Sequence, residues 1–113
     1  MNVEVVTKNI DAGIMMLVSG DVDMNTSPTV RNSLGEVFKQ GGVRVLLIDL
    51  SGVRYIDSSG IATLVEAMQN CMKKGMRLRL IELSPSVHDV FELARLASVF
   101  EIFATQNDAV AGL

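Results

Sequence analysis

The sequence predicts a single α/β (α+β) domain, a mixed sheet of about five strands packed with about four helices, and three observations carry that prediction. Beyond residue 20, short branched apolar runs alternate with segments whose apolar residues recur every three or four positions. Serine-proline pairs open two of the helical segments, and glycines close two of them. The 113 residues are 49% hydrophobic and 20% charged, enough for one substantial core and too few for two ordinary domains. Residues 1–113 are therefore expected to form one unit, with no linker, repeat or low-complexity tract.

Val3 and Val5 precede Asn9-Ile10-Asp11-Ala12-Gly13, whose Asn, Asp and Gly supply turn conformations, and the Ile14-Met15-Met16-Leu17-Val18 run follows; together they read as a β-hairpin. A polar loop is expected from Gly20 to Ser27. Ser27-Pro28 then starts a helix, because a serine oxygen can accept an orphan amide while proline's fixed φ suits the first helical position; Thr26 is a second candidate cap. Val30, Leu34, Val37 and Phe38 form its apolar stripe, and Gly41-Gly42 end it.

The Val43 to Ile48 run is short, apolar and mostly branched, which fits a central strand, and Asp49-Leu50-Ser51-Gly52 bound it. A second helix follows the next loop, with Ile61, Leu64, Val65, Met68 and Met72 as its expected inward stripe. Lys73 and Lys74 suit the negative end of its dipole, and Gly75 closes it. Met76 to Glu82 alternates as a strand, and Ser84-Pro85 starts a third helix carrying Val87, Val90, Phe91 and Ala94. A short strand near Phe100 to Phe103 leads to Thr105-Gln106-Asn107-Asp108, a capping-box pattern that opens a terminal helix.

The net charge of -3 gives no general attraction to phosphate backbones or anionic lipid, so neither nucleic acid nor a membrane surface is an expected partner. No apolar stretch approaches the roughly 20 residues needed to cross a bilayer, so membrane insertion is not expected. The single Cys71 forms no intrachain disulfide, and the first residues lack a basic-then-apolar secretory pattern, which points to a reducing cytoplasm. Self-association is left open.

Chemistry concentrates in two polar segments. Asp57-Ser58-Ser59-Gly60 lies directly before the second helix, so one of its oxygens is expected to cap that helix while others point outward at its positive end. Two adjacent serines leave one hydroxyl free of capping duty. Asp21-Val22-Asp23-Met24-Asn25-Thr26-Ser27 alternates oxygen-bearing side chains as a calcium loop does. Counted from Asp21, however, its sixth position is Thr26 instead of glycine and its twelfth Asn32 instead of glutamate, so no metal is expected there. Met24 is an apolar side chain in this polar loop with no evident core position, and it suits a partner contact.

Enzymatic readings lack parts. A serine nucleophile needs an oriented base, and the lone His88 falls in the first turns of the third helix; a G-x-S-x-G elbow is absent around Ser58. Cys71 lies near the apolar stripe of the second helix and reads as packing. No glycine-rich phosphate loop with a lysine is present, and Asp49, at the end of an apolar run, lacks the acidic pair that a phospho-accepting receiver domain would place after its first strand. No catalytic residue, metal or cofactor is expected.

The run Asp49-Leu50-Ser51-Gly52-Val53-Arg54-Tyr55-Ile56-Asp57-Ser58-Ser59-Gly60-Ile61 resembles the central motif of STAS domains, in particular those of bacterial anti-sigma-factor antagonists, and Gly20-Asp21-Val22-Asp23 matches as well. The resemblance extends over essentially the whole chain. It implies a phosphorylation-controlled binding switch and not an enzyme. Ser58, with Ser59 as the alternative, would be phosphorylated by an anti-sigma factor that is itself a serine kinase; the unphosphorylated form would bind that kinase and free the sigma factor, and a PP2C-type phosphatase would restore it. The implied partner surface comprises Asp21, Asp23, Met24, Thr26, Asp57, Ser58, Ser59 and Gly60, with Asp23 at a recurrent acidic position. The other role the resemblance implies is a STAS subunit of a membrane transport complex of the lipid-export ABC type.

Overall fold

The computed structural model describes residues 2–113. Its elements run β1 (Val3–Ile10), β2 (Gly13–Val22), α1 (Ser27–Gln40), β3 (Val45–Ile56), α2 (Ser58–Lys74), β4 (Arg77–Ile81), α3 (Pro85–Leu93), β5 (Glu101–Phe103) and α4 (Gln106–Val110). They build one five-stranded sheet in the order β1-β2-β3-β4-β5. β1 and β2 form the antiparallel hairpin, closed over Asp11-Ala12, whereas β2, β3, β4 and β5 are mutually parallel. The mixed sheet and helix count match the sequence expectation.

The two faces of the sheet are covered unequally. Alternate side chains such as Met16, Ile48 and Leu80 enter the main core, where α1 contributes Val30 and Leu34, α2 contributes Leu64 and Cys71, and α3 contributes Val87 and Phe91. The Phe91 ring meets Phe100 edge-on, with centroids 5.4 Å apart. On the opposite face Met15, Val45, Leu47 and Ile81 are sealed by Ala109 of the short α4. Arg79 helps to anchor that helix: it is buried, donates to the Ala109 carbonyl, pairs with Glu101 at 3.4 Å and lies over the Phe103 ring.

Several boundaries differ from expectation, each for a local reason. β3 does not stop at Ile48 but runs to Ile56, and β2 continues to Val22, so the loop expected from Gly20 begins only at Asp23. Register shifts between β2 and β3 at Leu17/Ser19 and Gly20/Asp21 allow this extension. Such bulges change the burial period of β3 from two to three, so that Leu50, Val53 and Ile56 point inward and the segment loses a strand's usual alternation. Asp49 is consequently inside a strand, where its carboxylate accepts the Ser51 amide at 2.8 Å.

In α2, Met72 was expected inward but is 73% exposed, while Cys71 takes the buried place. The inward face is centred on Gly60, Thr63, Leu64, Ala67 and Cys71, small residues that let the helix lie close to the sheet and turn Met72 to solvent. At the end of α2, Gly75 adopts the left-handed conformation with φ 70° and donates to the Cys71 and Met72 carbonyls. α3 and α4 start as expected: Ser84 and Thr105 accept the Val87 and Asp108 amides. α1 does not. Its N-cap position is Thr26, which makes no side-chain cap bond, and Ser27 is already helical and buried.

Candidate functional site

The site lies at the carboxyl end of the parallel strands, where two helix-entry loops meet. The backbone amide of Asp57, just beyond β3, donates to the Val22 carbonyl at the end of β2, at 3.0 Å. That bond places Asp57-Ser58-Ser59-Gly60 beside the Asp21 to Ser27 loop. The pairing of Asp21 with Tyr55 extends the contact one step down the sheet.

Asp57 is the N-cap of α2. Its Oδ1 accepts the Ser59 amide at 2.9 Å, the Gly60 amide at 3.2 Å and the Ser59 hydroxyl at 2.6 Å. The Ser59 hydroxyl holds the Asp57 carboxyl below its ordinary value of 3.8; partial burial opposes this, and the Gly60, Ser59 and Met24 amides reinforce it. The carboxylate is therefore charged at neutral pH and satisfies the first free amides of the helix. One turn on, the Thr63 hydroxyl donates to the Ser59 carbonyl at 3.0 Å. Ser59 is thus tied into the cap, whereas Ser58 is exposed, and among the described residues no protein group bonds its hydroxyl.

Gly60 is buried under the cap. A Cβ there would stand 2.6 Å from Ile56 Cγ1 and 2.7 Å from Val22 Cγ1, so the absence of a side chain lets α2 begin against both strand ends. Its place in the expected partner surface is accordingly that of a spacer and not of an outward contact.

The neighbouring loop is braced by its own acid. Asp23 Oδ1 accepts the Asn25 amide at 2.8 Å, the Thr26 amide at 3.0 Å and the Thr26 hydroxyl at 3.3 Å. Thr26 Oγ1 in turn donates to the Asp21 carbonyl at 2.7 Å and accepts the Asp23 amide at 2.9 Å. Thr26, expected on the outward surface, is only 5% exposed and serves the loop's interior. Asp21 and Asp23 are partly exposed, and Met24 projects fully with 76% of its surface free.

Tyr55, which the sequence reading did not single out, is 53% exposed and joins this surface through its pairing with Asp21. The available signal was an aromatic residue set between Arg54 and Ile56 in a segment that reads as loop until the bulges are known. A cavity of about 620 Å³ lies at the other end of β3 between Ile10, Ala12, Arg44, Val45, Arg77 and Val110, away from Ser58.

A model of the STAS domain matches residues 4–109. The chain belongs to the STAS domain family. It is 34% identical over 103 residues to an anti-sigma-B factor antagonist of Listeria monocytogenes, covering 90% of each chain. It is 29% identical over 111 residues to an anti-sigma-B factor antagonist of Bacillus subtilis, covering 97% of this chain and 99% of that one. Among solved structures, an anti-sigma factor antagonist from Mycobacterium paratuberculosis matches with a TM-score of 0.86 at 25% identity, over 96% of this chain and 91% of that one.

Within this STAS domain, groups with other reactive potential are unremarkably placed. Burial pushes the Cys71 thiol up to about 11, which leaves it protonated and inert. His88 is half-exposed, 3.8 Å from Glu92 one turn along α3. Among the described residues no group of three or more His, Cys, Asp or Glu is placed to hold a metal ion, and no helix is long and apolar enough to cross a membrane.

Proposed function

We propose that this STAS domain is an anti-sigma-factor antagonist: a binding module, not an enzyme, that docks on a serine-kinase anti-sigma factor through the Asp23 and Ser58 loops and is released when Ser58 is phosphorylated. One asymmetry carries the proposal. The Ser59 hydroxyl is engaged by Asp57 at 2.6 Å, while Ser58 is exposed at the positive end of a 17-residue helix. A kinase can reach the Ser58 oxygen without disturbing the cap.

Transfer of the ATP γ-phosphoryl group to Ser58 Oγ, with loss of the hydroxyl proton and release of ADP, adds about 1.5 to 2 negative charges at pH 7. A helix N-terminus tolerates an anion, so the domain stays folded and the effect falls on the docked surface. There the phosphate stands beside the ionised Asp57, and a partner shaped for a hydroxyl must desolvate it without a matching cation. A hundredfold loss of affinity requires about 2.7 kcal/mol, which a buried, unpaired phosphate readily supplies. A PP2C-type phosphatase would reverse the step.

The test uses a purified serine-kinase anti-sigma factor. Incubation with ATP and peptide mass mapping should place one phosphate on Ser58. Ser58→Ala should keep binding and lose phosphorylation, and Ser58→Asp should bind roughly a hundredfold more weakly. Phosphate on Ser59, or equal binding by all three forms, would remove the switch.

A further inference from the structure

The two edges of the sheet are protected very differently. β5 is three residues long, whereas β1 presents eight residues with no proline, and its ladder to β2 contains no register shift. A long, regular edge offers a row of unpaired amides and carbonyls to another strand. The direction of those groups follows from the hairpin. Ile10 and Gly13 flank a two-residue connection and pair directly, so Ile10, Lys8, Val6 and Glu4 bond toward β2, while Asn9, Thr7, Val5 and Val3 turn their amides and carbonyls outward.

We propose that two copies of this chain associate through antiparallel pairing of their β1 edges, in the register that sets Val6 against the partner's Val6. An isologous contact requires the strand to complement itself, and outward groups must meet outward groups. Centring on Val6 satisfies both conditions: Val5 bonds the partner's Thr7, and Val3 the partner's Asn9. It also sets Glu4 against the partner's Lys8 and Lys8 against the partner's Glu4, so both charges are matched twice. Centring on Val5 would oppose Glu4 with the partner's Val6, and centring on Thr7 would oppose Lys8 with it; neither pairs the charges. Val6, Glu4 and Lys8 are exposed, with Val6 at 56%, and Val6 adjoins the partly buried Leu17, which makes an apolar centre between the two charge pairs.

Sedimentation velocity over a concentration series tests the contact. The unmodified chain should show a concentration-dependent monomer–dimer equilibrium. Lys8→Glu and Glu4→Lys should each weaken it roughly tenfold, because both symmetry-related pairs turn from attraction to repulsion. An equimolar mixture of these two variants should dimerise again, since one strand then carries only acid and the other only base at the facing positions. Thr7→Pro, which removes an outward amide and no internal bond, should be monomeric with an unchanged circular dichroism spectrum. Val6→Cys should cross-link on oxidation, as directly opposed residues of a non-hydrogen-bonded pair lie within disulfide reach, whereas Lys8→Cys should not. A chain that stays monomeric at every concentration, a dimer indifferent to Lys8→Glu and Thr7→Pro, or equal cross-linking of the two cysteine variants overturns the proposal.

Discussion

The entries to α1 and α2 use the same acid for different ends. In each, an aspartate accepts the amides two and three residues ahead: Asp23 from Asn25 and Thr26, and Asp57 from Ser59 and Gly60. In each, the residue just after the aspartate, Met24 or Ser58, is thrown outward. The loops diverge at the fourth residue. Thr26 spends its hydroxyl inside the loop and the helix starts only at Ser27, so Asp23 shapes a turn ahead of α1. Gly60 is already in the helix, so Asp57 is the cap itself and Ser58 stands in the first turn. The same carboxylate geometry therefore yields an apolar knob in one case and, in the other, a hydroxyl at the positive end of a dipole.

The strongest way to break the difference is to give Gly60 a side chain. Gly60→Val should destabilise the domain by about 1–3 kcal/mol, read as a lower midpoint in urea, because the new atoms meet the Ile56 and Val22 side chains, both buried and packed in the core. Removing the acids should separate their duties. Asp57→Ala is expected to cost about 1–2 kcal/mol as a lost N-cap, and Asp23→Ala less, since α1 begins without its carboxylate. Equal losses would mean that the two loops are energetically alike.

The same contrast predicts a pH effect. Asp57 titrates below its ordinary 3.8 in the folded chain, so its share of the stability is complete above that value and fades as pH falls through the lower folded value. Thermal unfolding from neutral to acid pH should therefore lose, in Asp57→Asn, the part of the acid destabilisation that this carboxylate supplies. The smallest effects belong to the outward residues. Met24→Ala and Ser58→Ala should each leave stability within about 0.5 kcal/mol, and Met24→Ala should weaken partner binding alone.

Much of this arrangement is legible in the residues. Ser84, Thr105 and Gly75 terminate their helices as their chemistry dictates, and an aspartate followed by two serines before an apolar stripe announces a cap with a hydroxyl to spare. The parts that escape reading depend on neighbours distant in sequence. The extensions of β2 and β3 rest on paired bulges, which erase the period of two on which strand recognition relies. Thr26 reads as a cap from its position, yet a carbonyl and a carboxylate within its own loop claim its hydroxyl. Met72 reads as inward by spacing, but the close approach of small residues rotates α2 toward Cys71. Tyr55 enters the surface only through its pairing with Asp21.

The bond from the Ser59 hydroxyl to Asp57 has a bearing on how an enzyme tells two neighbouring identical residues apart. In a short peptide with the same letters both hydroxyls rotate freely, and a kinase would have to choose by side-chain context alone. In the folded chain, reaching the Ser59 oxygen means first breaking its bond to Asp57, so under the proposed switch the fold itself favours Ser58 before any kinase arrives.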